Sequence, residues 1–390
     1  NEKDIQQFID MTEGMKILDL RGIREFKRLG EITSGQLNDV ISLYKYGIKE
    51  NPWDDIEREK LENNKIKDRI KGQDVAVEKS ISIIKRAKTG FSGLQHSSAS
   101  KPKGILFFAG PTGTGKTELA KAIAELLFGD EGACRRFDMS EYSESHSAQK
   151  LFGAPPGYVG YESGGQLTNT IKEHPFSLLL FDEVEKASPT IWDKFLQILE
   201  DGRMTDGQGN TVYFSECLIV FTSNLGIYQD VGGVKKRVVD MNMSYNELNK
   251  VVTKGIQDYF FSKGKPEVLN RIGKNLIVFN FIQPEAAKEI LFSQINKICK
   301  AVYSMKKIRI EFRNDIVKEK LYQKVLTNLE EGGRGVGNIV EEYFTTPLST
   351  YVFDNRIENG QTIIIEDITG LNSDESELEM PKIIASLERN

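Results

Sequence analysis

One stretch constrains the fold of this chain more than any other. Residues 110–117 read GPTGTGKT and match the pattern G-x-x-x-x-G-K-[ST] at every fixed position. A short apolar run, GILFFA at 104–109, precedes the stretch and is typical of a buried parallel strand. The residues that follow place Leu119, Ile123 and Leu126 on one helical face. A strand, a glycine loop and a helix N-terminus in this order predict a phosphate-binding loop, because the backbone amides of such a loop turn towards anions.

The loop is the predicted contact surface for a nucleotide. Lys116 is expected to reach the β- and γ-phosphates, and Thr117 is expected to hold Mg²⁺. The plain alternative, a glycine-rich turn before a helix, is disfavoured because the strand and the helix are both present. The predicted nucleotide-binding residues of the loop are Gly110, Pro111, Thr112, Gly113, Thr114, Gly115, Lys116 and Thr117.

Two further apolar runs end in polar side chains. LLLFDE ends in Asp182 and Glu183, and CLIVFTSN ends in Asn224. Ligands of open α/β sheets bind at the carboxyl edge of the strands, so Asp182 is expected to hold Mg²⁺ and Glu183 to polarise an attacking water. Asn224 is expected to hydrogen-bond the γ-phosphate or that water. Alone, such strand ends more often cap helices or form turns, but beside a phosphate loop they favour ATP hydrolysis.

Strand and helix patterns alternate along the middle of the chain, which predicts an α/β fold with a parallel sheet. The candidate strands after the loop are 136–139, 177–181, 217–221 and 275–279. The N-terminal segment is interpreted either as a cap on the main domain or as a recruitment or oligomerisation module. The predicted divisions are a helical N-terminal segment at 1–64, a large α/β domain at 65–283, a small α-rich domain at 284–370 and a polar tail at 371–390.

The amino-acid composition indicates which classes of binding partner are not expected for this protein. The net charge is −5 and no block of basic residues occurs, so nucleic acid is not expected as a main partner. No apolar stretch approaches the ~20 residues of a membrane span, and no signal peptide opens the sequence. Cys134, Cys217 and Cys299 have no metal-ligand spacing and read as reduced thiols. We expect a cytoplasmic protein. Because the sequence begins with Asn1 and not with Met, the lack of a signal peptide adds little support to this expectation.

Longer motifs extend this interpretation to a family. They are FDMSEY at 137–142, GAPPGYVGYESGGQL at 153–167, LFDEVEK at 180–186, LQILEDGR at 196–203 and TSNLG at 222–226. With 110–129 they resemble the second ATPase ring of Clp/Hsp100 proteins, the ClpB-type AAA+ unfoldases, over roughly 65–365. The resemblance implies an AAA+ fold with a helical lid, ATP and Mg²⁺ as cofactors, a ring that is usually a hexamer, and ATP-driven threading of protein substrates.

The resemblance also assigns roles to residues that physical reasoning alone would leave open. Arg271 falls on the arginine finger, which serves the ATP of the neighbouring subunit. Arg334 resembles the lid arginine that contacts phosphate in its own subunit, although Gly333 stands where the family often has Ala. Ile70 and Gln73 fall in the segment that lines the adenine pocket.

Tyr158 and Val159 fall on the substrate-gripping pore loop of the family. Glycines flank the pair at 157 and 160, so the loop is expected to move. An exposed aromatic ring can wedge against any extended chain whatever its sequence. The plain alternative is a tyrosine packed into the turn after Pro155 and Pro156.

The chain departs from the family in several respects. It has one phosphate loop and no internal repeat, and the coiled-coil arm of disaggregases has no counterpart. Neither LGI at 225–227 nor VGG at 231–233 fits the tripeptide with which some members dock a peptidase. The sequence therefore supports neither disaggregation nor a peptidase partner. An unfoldase motor is the leading hypothesis, and the alternative is an ATP-dependent switch or assembly scaffold that controls partner docking through the N-terminal segment.

Overall fold

The computed structural model describes residues 65–91, 101–144, 146–158, 161–371 and 380–389, together with 17–28 and isolated positions between 8 and 61. Most of the predicted N-terminal helical segment lies outside the described residues. The helices are α1 (Ile17–Arg28), α2 (Lys65–Arg69), α3 (Asp74–Lys88), α4 (Lys116–Phe128), α5 (Ser147–Phe152), α6 (Gln166–Glu173), α7 (Pro189–Asp201), α8 (Tyr245–Ser262), α9 (Pro266–Ile272), α10 (Pro284–Lys306), α11 (Ile316–Thr327), α12 (Gly332–Val340) and α13 (Thr346–Asp354).

The strands are β1 (Gly104–Ala109), β2 (Cys134–Asp138), β3 (Leu178–Asp182), β4 (Arg203–Thr205), β5 (Thr211–Tyr213), β6 (Leu218–Ser223), β7 (Tyr228–Val231), β8 (Val234–Arg237), β9 (Leu276–Val278), β10 (Arg309–Phe312), β11 (Gln361–Ile368) and β12 (Ile383–Arg389). Five of them form the central sheet in the order β2-β3-β6-β1-β9, and every pairing in it is parallel. The predicted α/β fold with a parallel sheet is confirmed. Because β3, β6 and β1 are neighbours, the residues that follow these strands meet at one edge.

Both faces of the central sheet are covered, as a parallel sheet requires. Side chains alternate along each strand, so Phe107, Phe181 and Phe221 pack on one face, against α7 and α8. Leu180 and Val220 pack on the other face, against α3 and α4. This burial on both sides explains why the strands read as continuous apolar runs rather than as alternating patterns.

A short segment before α2 also belongs to this packing. Trp53, Ile56 and Leu61 are buried with the α3 and α4 side of the sheet. The Trp53 ring lies edge-on to Phe128 at 5.9 Å, and its Nε1 donates a hydrogen bond to the carbonyl oxygen of Glu216 at 2.9 Å. Packing of the large domain therefore includes residues before position 65.

The small domain has its own core and a three-stranded sheet in the order β10-β11-β12. The prediction of a polar tail at 371–390 is wrong for its last part, because β12 pairs antiparallel with β11 along its length. The apolar residues Ala385 and Leu387 alternate with the polar residues Ser386 and Glu388, a pattern that favours such a strand. Residues 372–379 of the predicted tail lie outside the described residues.

The helical stretch at 332–354 of the small domain is interrupted. α12 ends at Val340, a π-helical turn covers Glu341–Thr345, and α13 begins with Thr346. Pro347 has no backbone N–H to donate, and the Thr345 hydroxyl donates a hydrogen bond to the carbonyl oxygen of Val340 at 3.2 Å. The chain stays helical through the π-helical turn. Because such a turn holds more residues than an α-helical one, the side chains after it point in a different direction from those of an uninterrupted α-helix.

Phe181 is the side chain whose loss should test the core most directly. Its ring is buried between the rings of Phe137 at 5.4 Å, Phe195 at 4.6 Å and Phe221 at 5.4 Å. We expect Phe181→Ala to lower the free energy of unfolding by about 3–5 kcal/mol, because it leaves a cavity among rigid rings. Urea denaturation followed by circular dichroism measures the change.

The matched control is Phe353→Ala, since Phe353 is 82% exposed. Its effect should stay within about 0.5 kcal/mol. Equal losses for the two variants would contradict the assignment of Phe181 to the core.

Candidate functional site

The loop between β1 and α4 adopts the backbone shape that an anion site needs. Gly113 and Gly115 have φ of 77° and 95°, in the left-handed region that favours glycine. Lys116 opens α4, and its side chain folds back over the loop. Its ammonium donates hydrogen bonds to the carbonyl oxygens of Gly110 at 2.7 Å and Pro111 at 2.8 Å. The loop therefore encloses a cation beside the positive end of a helix, which is where nucleotide phosphates bind.

Lys116 is a buried charge with an unusual proton affinity. Burial lowers the pKa of its ammonium from 10.5 to about 8, although the carboxylates of Glu185 and Asp182 oppose the shift. Its Nζ also donates a hydrogen bond to Asn224 Oδ1 at 2.9 Å. A polyphosphate bound against this ammonium would favour its charged form.

Asp182 lies at the end of β3 and is held by three neighbours. The Thr222 hydroxyl donates a hydrogen bond to its Oδ1, and the Thr117 hydroxyl lies 3.5 Å from the same oxygen. Arg136, on β2, donates from Nε to Oδ2 at 2.8 Å. These contacts fix the carboxylate at the mouth of the phosphate loop.

Thr117 and Asp182 together fit Mg²⁺. This ion prefers oxygen ligands and in nucleotide sites takes only one or two from the protein, the rest coming from phosphates and water. A hydroxyl and a carboxylate beside the loop are such a pair. Among the described residues no group of three His, Cys, Asp or Glu side chains could hold a metal ion.

Glu183 has a strained backbone. Its φ is 56°, a conformation that a non-glycine residue seldom adopts. The Thr222 hydroxyl accepts a hydrogen bond from its backbone N–H at 3.0 Å and so holds this conformation from the neighbouring strand. Its carboxylate forms an ion pair with Lys186, and its Oε1 lies 3.5 Å from Asn224 Nδ2. The contact between Glu183 at the end of β3 and Thr222 on β6 thus directs the carboxylate of Glu183 into the cleft beside Asn224.

The small domain closes against the phosphate loop through glycines. The N–H of Gly333 donates a hydrogen bond to the carbonyl oxygen of Gly113 at 2.8 Å. A Cβ on Gly113 would lie 2.1 Å from the carbonyl oxygen of Glu331, and one on Gly333 would lie 3.2 Å from that of Gly113. The close approach leaves little room for a Cβ on Gly333, and alanine there would require a small shift of the loop. It also brings Arg334 into the wall of the cleft.

These elements enclose a polar cleft of about 1040 Å³, enough for a nucleotide. The predicted site residues in its wall are Ile70, Thr112, Gly113, Thr114, Gly115, Lys116, Thr117, Asp182, Glu183, Asn224 and Arg334. Gln73 is not part of the wall. Its amide bridges the backbone of Asn280, donating to the carbonyl oxygen at 2.8 Å and accepting from the N–H at 3.0 Å. Gln73 thus ties the start of α3 to the segment after β9.

Two further predicted residues, Arg271 and Tyr158, are not part of the cleft wall. Arg271, on α9, donates a hydrogen bond from Nε to Glu200 Oε1 at 2.8 Å and does not line the cleft of its own chain. Tyr158 is 61% exposed, in the loop between α5 and α6. Val159 lies outside the described residues. The assignments of these residues stay predictions.

Two arginines of the cleft wall were not predicted from the sequence. Arg136 contacts Asp182. The sequence feature that could have indicated this role is a cationic residue inside a short strand, directly before the FDMSEY motif. Arg69 contacts three carboxylates, those of Glu118 at 2.7 Å, Glu125 at 2.7 Å and Glu131 at 2.9 Å. Nothing in the sequence pairs Arg69 with these residues, which lie some 50 to 60 positions away.

Comparisons with known proteins agree with this geometry. Residues 101–275 match the model of the AAA domain (Cdc48 subfamily). The chaperone protein ClpB 2 of Nostoc sp. is 34% identical over 94% of this chain. The chaperone protein ClpB of Propionibacterium freudenreichii is 41% identical over 69% of this chain. This chain spans only 40% of the first protein and 29% of the second.

A solved structure is similar as well. The closed-state cryo-electron microscopy structure of Hsp104 with ATPγS and FITC casein superposes with a TM-score of 0.69 at 27% sequence identity. The match covers 89% of this chain and 56% of the Hsp104 chain. The similarity therefore includes both the large and the small domain.

The pKa of Lys116 predicts a pH dependence of stability. In the nucleotide-free protein the folded chain releases this proton near pH 8 and the unfolded chain near 10.5, so unfolding takes up a proton between these values. Stability contributed by this group should therefore rise with pH across that window, by about 3 kcal/mol. Denaturant titrations at several pH values should show the rise in wild type and not in Lys116→Met.

Lys121→Met is the control, because Lys121 lies on the same helix but is 40% exposed. This variant should keep the wild-type slope. A wild-type slope in Lys116→Met would show that the Lys116 ammonium is not perturbed by burial.

Proposed function

Because the chain belongs to the Clp/Hsp100 family of AAA+ ATPases, we propose that it hydrolyses ATP in the cleft and uses the energy to pull polypeptide through the pore of a ring. One observation carries the proposal. Lys116, Asp182, Glu183 and Asn224 follow three adjacent strands and meet around one phosphate loop. This arrangement of one cation, two carboxylates and one amide suits hydrolysis of a phosphoanhydride.

Each of these groups has a distinct role in the proposed reaction. Lys116 and the loop amides bind the β- and γ-phosphates. Thr117 and Asp182 would hold Mg²⁺, which would neutralise phosphate charge. Glu183 accepts a proton from the attacking water, and Asn224, within hydrogen-bonding range of both Glu183 and Lys116, orients that water or the γ-phosphate.

Two arginines complete the proposed site from different subunits. Arg334 lies in the cleft wall and would contact phosphate in its own chain. Arg271 lies outside this wall, paired with Glu200, and would reach the ATP of a neighbouring copy. An arginine that acts in trans requires contact with a neighbouring subunit; a closed head-to-tail ring supplies this contact to every site, and we propose a hexamer.

A protein substrate is part of the same proposal. Tyr158 presents an exposed aromatic ring that can grip an extended chain without reading its sequence. The Hsp104 of the solved structure was imaged with casein, a protein, and this supports the same class of substrate here. The net charge of −5 does not favour nucleic acid as a main partner. No helix among the described residues could cross a membrane. We propose a cytoplasmic location.

A switch or assembly scaffold remains the second candidate. The observation in its favour is the burial of Trp53, which links the segment before α2 to the sheet that carries the cleft. A nucleotide-dependent change in the sheet would be transmitted to a partner bound at the N-terminal segment. Very slow ATP turnover, with loss of biological activity on deletion of residues 1–50, would favour this candidate over threading.

Tyr158→Ala tests the threading proposal. The ATPase rate should stay within about twofold of wild type, while unfolding of a tagged fluorescent protein should fall by about tenfold or more, because the gripping ring is lost. Tyr158→Phe should keep most of the unfolding rate, since it retains the ring. Tyr228→Ala, at another exposed tyrosine, is the control and should unfold normally. Wild-type unfolding by Tyr158→Ala would rule out threading by this loop.

Mixing experiments test the role of Arg271. Rings made only of Arg271→Ala or only of Glu183→Gln subunits should lose ATPase activity by about a hundredfold or more. In a one-to-one mixture about a quarter of the interfaces join an intact Glu183 to an intact Arg271, so turnover should partly return. Steady-state phosphate release across mixing ratios measures this. No recovery at any ratio would remove Arg271 from the site of the neighbour.

A further inference from the structure

A β-hairpin lies against the segment that carries Tyr158. Strands β4 and β5 pair antiparallel, and residues 206–210 form the turn between them. At the tip of the turn, Gln208 Nε2 donates hydrogen bonds to the carbonyl oxygen of Tyr161 at 2.8 Å and to that of Glu162 at 3.1 Å. These carbonyls follow Tyr158 by three and four positions. The hairpin therefore holds the backbone on the C-terminal side of the exposed tyrosine.

The turn that carries Gln208 is fixed from within. The Asp206 carboxylate is fully buried and accepts hydrogen bonds from the backbone N–H of Gln208 at 3.0 Å and of Asn210 at 2.8 Å. Lys172, on α6, forms an ion pair with the same carboxylate at 2.8 Å. Asn210 Nδ2 also donates to Gln208 Oε1 at 3.2 Å. Gln208 is thus held in one orientation, although its side chain is exposed.

The hairpin also touches the segment on the N-terminal side of Tyr158. A Cβ on Gly207 would lie 2.0 Å from the carbonyl oxygen of Ala154, so only glycine permits this approach. A Cβ on Gly153 would lie 3.2 Å from the N of Gly207, and Gly153 has a φ of 98°. The backbone is therefore in contact with the same hairpin turn both before and after Tyr158 in the sequence.

A short, rigid path joins this turn to the cleft. The helical turn Val184–Lys186 follows Glu183, and α7 begins only a few residues later. Gly202 follows the last residue of α7, its carbonyl oxygen accepts a hydrogen bond from the N–H of Phe214 at 2.7 Å, and β4 begins directly after it. Trp192 packs α7 onto the sheet that carries Glu183. A displacement at the end of β3 would therefore move the hairpin as a unit with α7.

We propose that Gln208 is a positioning residue that couples the nucleotide cleft to Tyr158. The hairpin turn moves with α7, and the two hydrogen bonds from Gln208 pass this movement to the backbone beside the tyrosine. The mechanical consequence rests on the proposed threading function. The positioning itself does not, and it can be measured in the absence of any substrate.

Two variants separate the hydrogen bonds from other properties of the side chain. Gln208→Glu keeps the size of the side chain and an oxygen for Asn210, but removes both N–H donors. Gln208→Ala removes the whole amide. Since the side chain is exposed, neither change disturbs the core. Gln229→Ala is the control, because Gln229 is an exposed glutamine of the other hairpin, on β7.

Hydrogen–deuterium exchange of the peptide that covers 153–165 measures the positioning. Both Gln208 variants should exchange about fivefold to tenfold faster than wild type, as expected when an ordinary hydrogen bond is lost. Gln229→Ala should exchange at the wild-type rate. Unchanged exchange in both Gln208 variants would overturn the positioning role, whatever the protein does to its substrates.

The number of substrate molecules unfolded per ATP hydrolysed measures the coupling. In Gln208→Glu this ratio should fall about fivefold, while kcat and KM for ATP stay within about twofold of wild type. Faster exchange with an unchanged ratio would overturn the coupling and leave the positioning standing. If Tyr158→Ala itself unfolds substrate normally, the threading function fails, and the exchange result still decides the role of Gln208.

Discussion

The buried ammonium of Lys116 is the interaction on which the candidate site depends. A charge this far from water is costly unless opposite charges and carbonyl dipoles surround it. The carbonyl oxygens of Gly110 and Pro111 and the amide oxygen of Asn224 partly compensate this cost, but burial still lowers the pKa of Lys116 to about 8. The free protein therefore holds a cation that is only partly satisfied, and a polyphosphate is the ligand that would complete its environment.

The parallel sheet makes this arrangement possible. Because β3, β6 and β1 run side by side in one direction, their ends present Asp182, Asn224 and the phosphate loop at a common edge. The same pairing gives Thr222 a double role. Its hydroxyl contacts the carboxylate of Asp182 and also the backbone N–H of Glu183. One residue on the neighbouring strand thus orients the proposed metal ligand and stabilises the strained backbone of the proposed base.

The contact between the two domains is equally specific. Backbone meets backbone where Gly113 accepts a hydrogen bond from Gly333, and a side chain on Gly113 would clash with the backbone of Glu331. A bound nucleotide would lie beside this contact and touch Arg334 as well as the loop. In the proposed reaction, hydrolysis would change these contacts and so could alter the angle between the domains. In the proposed ring, such a change would move each large domain relative to its neighbour.

The sequence by itself determined the fold class, the phosphate loop and the residues that follow β3 and β6. These signals are local, since each lies within one strand and the turn after it, and parallel strands end at the same edge. Only the tertiary structure decided the rest. The pairing of Arg136 with Asp182, the approach of Gly333 to Gly113 and the pairing of β12 with β11 join residues that are distant in sequence. Such contacts depend on strand register and domain packing, and no local pattern of residues encodes these.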